Sequence, residues 1–344
     1  MGIDAALQRY VEKTEYRHAL GLPAEVTERY EMLAQGEYNV NYAFVHPLTG
    51  EKLVLRINQG SQMHLKDQIG YEANALGLIE DSGRTPRVLY VDSSIESTGN
   101  GCLVMNYLPG SALDYTDPEQ LRGAAECLAD IHSVRVTRDS VLIDPGSPLE
   151  AILNECEEMV SVYMESPLAD RSLKLKIRDL LDLAWRFVRQ RRDAAPYQCC
   201  INTELNSTNF LAAPDKVRLV DWEKPLYGDP AQDLGHFLAP TTTFWKTDVF
   251  FDADTMEQFI DHYIEAVDGR FDTHGLRART ERFVTVTCLR GVTWCAMAWV
   301  QYREADKELM NESTRRKLDQ YISDDFIDYI TGYVTQRAVA GGHE

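Results

Sequence analysis

The sequence predicts an α+β fold in two lobes, a small β-rich N-terminal lobe and a larger, mainly helical C-terminal lobe. Three observations carry this. At 344 residues and 39.1 kDa the chain exceeds the size at which a single hydrophobic core stops growing, roughly 250–300 residues. Its first hundred residues hold period-two apolar runs, whereas most of the remainder has apolar positions three and four apart. Pro109-Gly110 stands at the change of character, so the expected domains are residues 1–108 and 109–344.

Taken in order, residues 1–22 read as an amphipathic helix, with acids where a secretory leader needs bases. Residues 30–58 alternate as paired strands around a Pro47-Leu48-Thr49-Gly50 turn, with Gly36, Asn39 and Asn41 in a turn before the hairpin. Ile69, Ala73, Leu76 and Ile79 fall at helical spacing within 63–80, and the stretch 82–86, rich in turn formers, ends that helix. Two short strands, 87–92 and 101–108, complete the first lobe. Helices are then expected at 118–133, 149–165 and 171–192. The strand-like segments of the second half lie within 199–223, and from about 251 the pattern is helical again.

Composition narrows the partners. Thirty-five Lys and Arg against 54 Asp and Glu give a net charge of −19, which repels nucleic acid and anionic membrane surfaces and favours a cationic small molecule. The sequence reads as having no run of about 18 apolar residues, so no membrane span is expected and the chain reads as cytoplasmic. The seven cysteines form no CxxC and no zinc-spaced cluster. They read as reduced and buried, Cys199-Cys200 included, as packing residues leading into an apolar strand.

The chemistry concentrates between Asn202 and Glu223. Glu204, then Asn209 five residues on, then Asp221 closing a short apolar strand supply what Mg-dependent phosphoryl transfer needs: one carboxylate to orient an attacking hydroxyl, and an amide with a second carboxylate for the metal. Taken alone, Asn and Asp in loops between strands also serve as turns and caps.

The neighbours raise the specificity. QGEYNVNYAFV, LVLRIN, GYEANALGLI, LVMNYLPGSAL, LADIHS, NTELNSTNFL, LVDWE and YGDPAQDLGHF occur in this order, and over most of its length the chain resembles the aminoglycoside phosphotransferase and choline kinase family. That resemblance implies a bilobal protein-kinase-like fold with ATP and Mg2+ in the cleft and a small-molecule alcohol as acceptor. Carried over residue by residue, it puts Gly36, Asn39 and Asn41 at a phosphate-covering loop. Arg56 becomes the strand cation on the phosphates, with Glu72 as its partner. Met105, Asn106, Tyr107 and Leu108 fall at the adenine-contacting hinge, and Glu204, Asn209 and Asp221 at the catalytic positions, the last two on the metal. Asp229 and Asp233 correspond to structural acids. Asn202-Thr203-Glu204 departs from the family's His-Gly-Asp or His-Asn-Asp. The extra methylene of Glu moves its carboxylate by about 1.5 Å, enough to cost roughly a hundredfold in rate where positioning dominates.

For the acceptor, the resemblance and the acidic composition put hydroxylated amines first, aminoglycoside-like or choline- and ethanolamine-like. The loop departures leave open a nucleotide-binding pseudokinase with a regulatory role. Asp254, Glu257, Asp261, Glu265 and Asp268 form a stripe along one helix side, either a polycation site or a solvated face. Trp294 and Gln301 resemble the Trp-containing helix of choline kinases, where an indole can attract a quaternary ammonium; Trp294 and Trp299 on an apolar helix also fit a core. His132 and His236, beside apolar helical residues, read as structural.

Overall fold

The computed structural model describes residues 5–36, 38–61, 63–94, 101–189, 195–304 and 312–340. Five antiparallel strands build the N-lobe sheet: β1 (Glu31–Gln35), β2 (Asn39–Val45), β3 (Lys52–Asn58), β4 (Val88–Asp92) and β5 (Cys102–Asn106), in the spatial order β1-β2-β3-β5-β4. The expected hairpin is β2–β3, with Asn41 opposite Arg56 and Tyr42 opposite Leu55. Period-two alternation gives the sheet two apolar faces. Val54, Leu103 and Met105 pack with Ile69 of α3 (Gln68–Ile79). Leu53, Leu55, Cys102 and Val104 face Tyr10, Val11 and Tyr16 of α1 (Ala5–Val11) and α2 (Thr14–Leu20).

Three boundaries differ from the sequence reading. The opening segment is two short helices, because Lys13 takes an extended backbone (ψ 135°) as the N-cap of α2. Helix α3 starts at Gln68, where the Asp67 carboxylate accepts from Gly70 N at 2.8 Å and caps it. Asn39 and Asn41 lie in β2 and not in a turn.

The chain crosses to the C-lobe through Gly110, whose φ of +151° and packing against Leu211, 2.9 Å from where a Cβ would sit, admit glycine alone. It pairs at once with that lobe: β6 (Ser111–Ala112) runs beside β8 (Phe210–Ala212), which pairs with β9 (Val217–Leu219). β7 (Cys199–Ile201) pairs with β10 (Leu226–Gly228). These small ladders interrupt a helical lobe of α4 (Pro118–His132), α5 (Pro148–Glu165), α6 (Arg171–Arg189), α7 (Pro230–Leu238), α8 (Pro240–Lys246), α9 (Ala253–Val267), α10 (Leu276–Glu304), α11 (Glu312–Tyr321) and α12 (Asp324–Ala340). The last residues of the helix expected at 171–192 lie outside the described residues. β6, β10, α7 and α8 escaped the sequence reading because each is short and broken from its neighbours by Gly or Pro.

Helix α10 is the spine of this lobe, burying Val284, Leu289, Val292 and Ala296 against its neighbours. Contrary to the expectation from the sequence, by length and composition it could cross a membrane; in this fold 72% of its most apolar stretch is buried. All seven cysteines are buried and unbridged.

Candidate active site

The N-lobe contributes an arginine. Arg56, 5% exposed on β3, donates through Nε to Asn41 Oδ1 at 3.0 Å and through Nη1 to Glu72 Oε1 at 2.5 Å, and it reaches Asp221 Oδ1 at 3.3 Å. Strand β3, helix α3 and the C-lobe strap after β9 thus meet at one guanidinium. Asn39 Nδ2 donates to Glu223 Oε1, and Asn58 Nδ2 donates to Asn39 Oδ1 at 3.1 Å. Glu72, Asp221 and Glu223 set three carboxylates about one cation, and among the described residues the buried Glu72 Oε2 has no hydrogen-bond partner. Burial, then repulsion from Asp221, raises the Glu223 carboxyl well above the usual carboxylate range.

The C-lobe contributes the loop 202–209. Asp233, wholly buried, accepts from the backbone N–H groups of Asn202 and Thr203, both at 2.8 Å, and its Oδ2 also meets His132 Nε2 at 3.1 Å. Thr203 is β-branched yet has φ +70°, a strained conformation. Asp233 and the Thr203 Oγ1–Lys224 O bond at 2.9 Å hold it there. Asn202 Nδ2 donates to Asp221 O at 2.9 Å, and its Oδ1 accepts from Glu204 N at 3.0 Å. The amide therefore braces the loop. Asn209 Nδ2 donates to Glu204 O at 2.8 Å, and Val220 N donates to Asn209 O at 2.9 Å, which brings Asn209 beside Asp221. Asp221 also has a left-handed φ, +67°.

Glu204 has neighbours that sequence reasoning missed. Lys224 Nζ lies 2.9 Å and Arg290 Nη2 3.5 Å from its Oε1, while Arg290 Nε donates to Glu155 Oε2 at 3.0 Å. Burial raises the Glu204 carboxyl, but Lys224 and then Arg290 outweigh that and hold it at about 2. His236 Nδ1 accepts from Leu205 N at 3.1 Å, so the neutral ring carries its proton on Nε2. Burial, then Arg290, lowers this histidine to about 4. Lys224 directly follows the LVDWE motif and was legible as a neighbour of the site; Arg290 and Glu155, 86 and 49 positions from Glu204, gave no local signal.

A cavity of about 270 Å3 opens between the lobes. Gly36, Tyr38, Asp221 and Glu223 line one part of it; Glu204, His236, Thr241, Thr242, Trp245, Thr287, Arg290, Trp294 and Tyr321 line another. Trp245 stands edge-on to both Trp294 (5.1 Å, 83°) and Tyr321 (5.8 Å, 83°). A second cavity of about 340 Å3 shares His236, Thr287 and Arg290 with the first and reaches Lys224 and Glu155.

The sequence-predicted residues thus fall in three groups. Arg56, Glu72, Asn41, Glu204, Asn209 and Asp221 lie in one connected hydrogen-bond and ion-pair network, Asn39 bonds the adjacent Glu223, and Gly36 lines the cavity. Asn39 and Asn41 spend their side chains bracing Glu223 and Arg56. At the hinge, Asn106 exchanges bonds with the Arg87 backbone and Tyr107 N donates to Lys52 O at 3.0 Å; Leu108 is half-buried beside them. The acidic stripe lies apart: four of its residues are exposed on α9 and Asp268 is exposed at its C-cap, none lines the cavity, and Glu257 and Asp261 pair with Arg277. Gln301 is exposed, and Trp299 Nε1 donates to Asp319 away from the cavity, which leaves Trp294 as the member of that motif that reaches it.

The donor atoms around Asp221 suit Mg2+. Asn209 Oδ1 and the carboxylates of Asp221 and Glu223 are hard oxygen ligands, and the surplus of negative charge around Arg56 is what a divalent cation would neutralise. Among the described residues no group of three or more His, Cys, Asp or Glu could hold a metal alone. Mg2+ commonly takes one or two carboxylates and completes its shell with substrate phosphate and water.

A β-sheet lobe hinged to a helical lobe, with a loop carboxylate, an amide and a strap carboxylate facing a strand arginine, defines a protein-kinase-like phosphotransferase. The chain belongs to the phosphotransferase enzyme family, whose model matches residues 29–278. It is similar over 96% of its length to the crystal structure of a spectinomycin phosphotransferase bound to ADP and spectinomycin, with 98% of that chain covered, a TM-score of 0.64 and 11% identity. A choline/ethanolamine kinase family protein from Mesorhizobium loti gives 0.60 at 17% identity, with 96% of this chain and 98% of that one covered. An ethanolamine kinase from Plasmodium vivax gives 0.59 at 14% identity, covering 95% and 92%. No curated protein matches the sequence.

Proposed function

We propose that this phosphotransferase is an ATP- and Mg-dependent small-molecule kinase that phosphorylates an alcohol hydroxyl. The observation behind it is the network running from Arg56 through Asp221 and Asn202 to Glu204, in which Asp221 and Glu204 line one cavity; it supports Arg56 as a phosphate-binding cation and Glu204 as a hydroxyl-orienting carboxylate. Asn209 and Asp221, with Glu223 beside them, are the residues to hold the metal; Arg56 and the backbone at Gly36 are those for the phosphates, and the segment 105–108 is that for the adenine. Bound Mg–ATP would supply the phosphoryl group and neutralise charge on its oxygens. Glu204 accepts a hydrogen bond from the acceptor hydroxyl and aligns it. Held ionised by Lys224 and Arg290, it is a weak base, so it acts chiefly by orientation; it would take the hydroxyl proton as the acceptor O–P bond formed and the bond from the γ-phosphorus to the departing ADP oxygen broke.

Coupled ADP release with Mg–ATP, over a panel of amino alcohols, aminoglycosides, sugars and nucleosides, tests this. Acceptor-dependent release that disappears in Glu204→Ala is expected; release unaffected by both Glu204→Ala and Asp221→Asn would refute it. For the acceptor, Trp245 and Trp294 at the cavity support a compact amino alcohol of the choline or ethanolamine kind, whereas the exposed acidic stripe no longer supports a polycationic aminoglycoside. One observation favours a pseudokinase instead: Glu204 Oε1 already has two cations on it. Glu204→Asp separates the two, since an adapted enzyme loses rate and a pseudokinase has none to lose.

A further inference from the structure

We propose, resting on the kinase reading above, that the acceptor has two parts. Its amino-alcohol end meets Glu204 in the first cavity, and an uncharged, hydroxyl-bearing extension occupies the second, held by Gln232 and His236. The second cavity, at about 340 Å3 against about 270 Å3, is the larger, and the two adjoin at His236, Thr287 and Arg290. Both lobes build it: Met63 and His64, ahead of α3, line it from the N-lobe, and Ala151 and Ile152 of α5 line it from the C-lobe. A compact amino alcohol beside Trp245 and Trp294 leaves this space unfilled, whereas small-molecule sites bury most of their ligand's surface and are filled by it.

The lining says what would bind there. Gln232 is 6% exposed, and among the described residues its Oε1 has no hydrogen-bond partner. A buried amide oxygen left unpaired is costly, and a ligand that brings a donor offsets the cost. Gln232 and His236 stand four residues apart on α7, and so on one face of it, a turn from each other. Because His236 Nδ1 accepts from Leu205 N, the ring donates through Nε2. A carbonyl in want of a donor and an N–H one helical turn away match neighbouring hydroxyls, which donate and accept at once. Lys224 and Arg290 also line this cavity, but they are held in ion pairs with Glu204 and Glu155.

The test uses acceptors that share one reacting end: ethanolamine, N-hexylethanolamine and N-hydroxyethylglucamine, which carries a polyol chain where the second carries an alkyl one. KM and kcat are read from ADP release with Mg–ATP on the full chain, and binding from titration calorimetry. The polyol should show a KM about tenfold below those of the other two, the equivalent of one or two hydrogen bonds. Gln232→Leu, which removes the amide at similar volume, should raise the polyol's KM about tenfold, with its kcat unchanged and the KM of ethanolamine within about twofold. Ala151→Phe, which fills the cavity from α5, should do the same without touching Gln232, and circular dichroism checks that both variants fold. A polyol no better than ethanolamine would overturn the proposal, as would an alkyl chain that binds as well as the polyol or a preference that survives both variants. If no acceptor is turned over, the kinase reading fails, and calorimetry decides the subsite alone. Binding of N-hydroxyethylglucamine that weakens in Gln232→Leu and Ala151→Phe supports it; no binding, or binding unchanged in both, refutes it.

Discussion

The two halves of the cleft handle charge in opposite ways. Around Arg56, one cation faces Glu72, Asp221 and Glu223, and among the described residues a buried oxygen of Glu72 is left without a partner. Around Glu204, Lys224 and Arg290 offset Glu204 and Glu155 one for one. The first half is electrically open and stabilised by whatever positive charge arrives. The second is closed, and every group in it is already positioned. An open half suits a ligand that brings its own metal; a closed half suits a substrate selected by shape and hydrogen bonds.

The largest expected effect breaks the open half. Asp221→Asn removes one metal-side carboxylate, and ADP release should fall by roughly 10²–10³, the size seen when one preorganised electrostatic group is lost. Mg–ATP should raise the melting temperature of the unmodified chain and leave that of the variant nearly unchanged. A normal shift in the variant would place the metal elsewhere.

On the closed side, acid should act through His236. Its ring takes up a proton only near pH 4, whereas the unfolded chain takes it up near the ordinary 6.5. The unfolded state therefore binds the proton first, and stability falls as pH is lowered from about 6.5 to about 4, by up to about 3 kcal/mol. His236→Gln, which can still accept from Leu205 N, should flatten the profile in that window in urea denaturation. Identical profiles for both proteins would show that the ring titrates normally.

Glu204→Asp draws the carboxylate back from Lys224 and Arg290, and kcat should fall by roughly a hundredfold. A faster variant would mean that the glutamate is a defect and not an adaptation. Lys224→Met should then cost about 2 kcal/mol of stability, less than the 3–5 typical of a fully buried pair, because the Glu204 side chain is 30% exposed. Adding Glu204→Gln should recover much of the loss, and a double-mutant cycle measures the coupling.

These contrasts also explain what the sequence could tell. The N-lobe hairpin, α3 and the Glu204–Asn209–Asp221 spacing are local patterns, and a local pattern survives in one dimension. The order of motifs carried the two-lobe architecture for the same reason. The tetrad around Glu204 was hidden because its charges come from four places on the chain, α5, the loop at 204, the strap after β9 and the middle of α10. Arg290 in particular sits in a helix whose other residues read only as core. Asn39 and Asn41 misled in a different way: amides favour turns, but here Glu223 and Arg56 supply partners that make a buried and a half-buried strand amide acceptable.

The smallest effect concerns the acidic stripe, and its value lies in being small. If polycations were recognised by the charge of the helical lobe as a whole, replacing Glu257 and Asp261 by Gln and Asn would weaken turnover of any amine acceptor and steepen its dependence on salt. Those carboxylates are exposed, and they bind Arg277 on the outer side of α9. Surface pairs of this kind contribute about 0–1 kcal/mol, and nothing connects them to the cavity. The double variant should therefore keep kcat/KM within about twofold and its salt dependence unchanged, with at most a small loss of melting temperature from Arg277 left unpaired. A tenfold loss confined to amine acceptors would show that charge acts across the lobe, and would undo the separation between an open and a closed half.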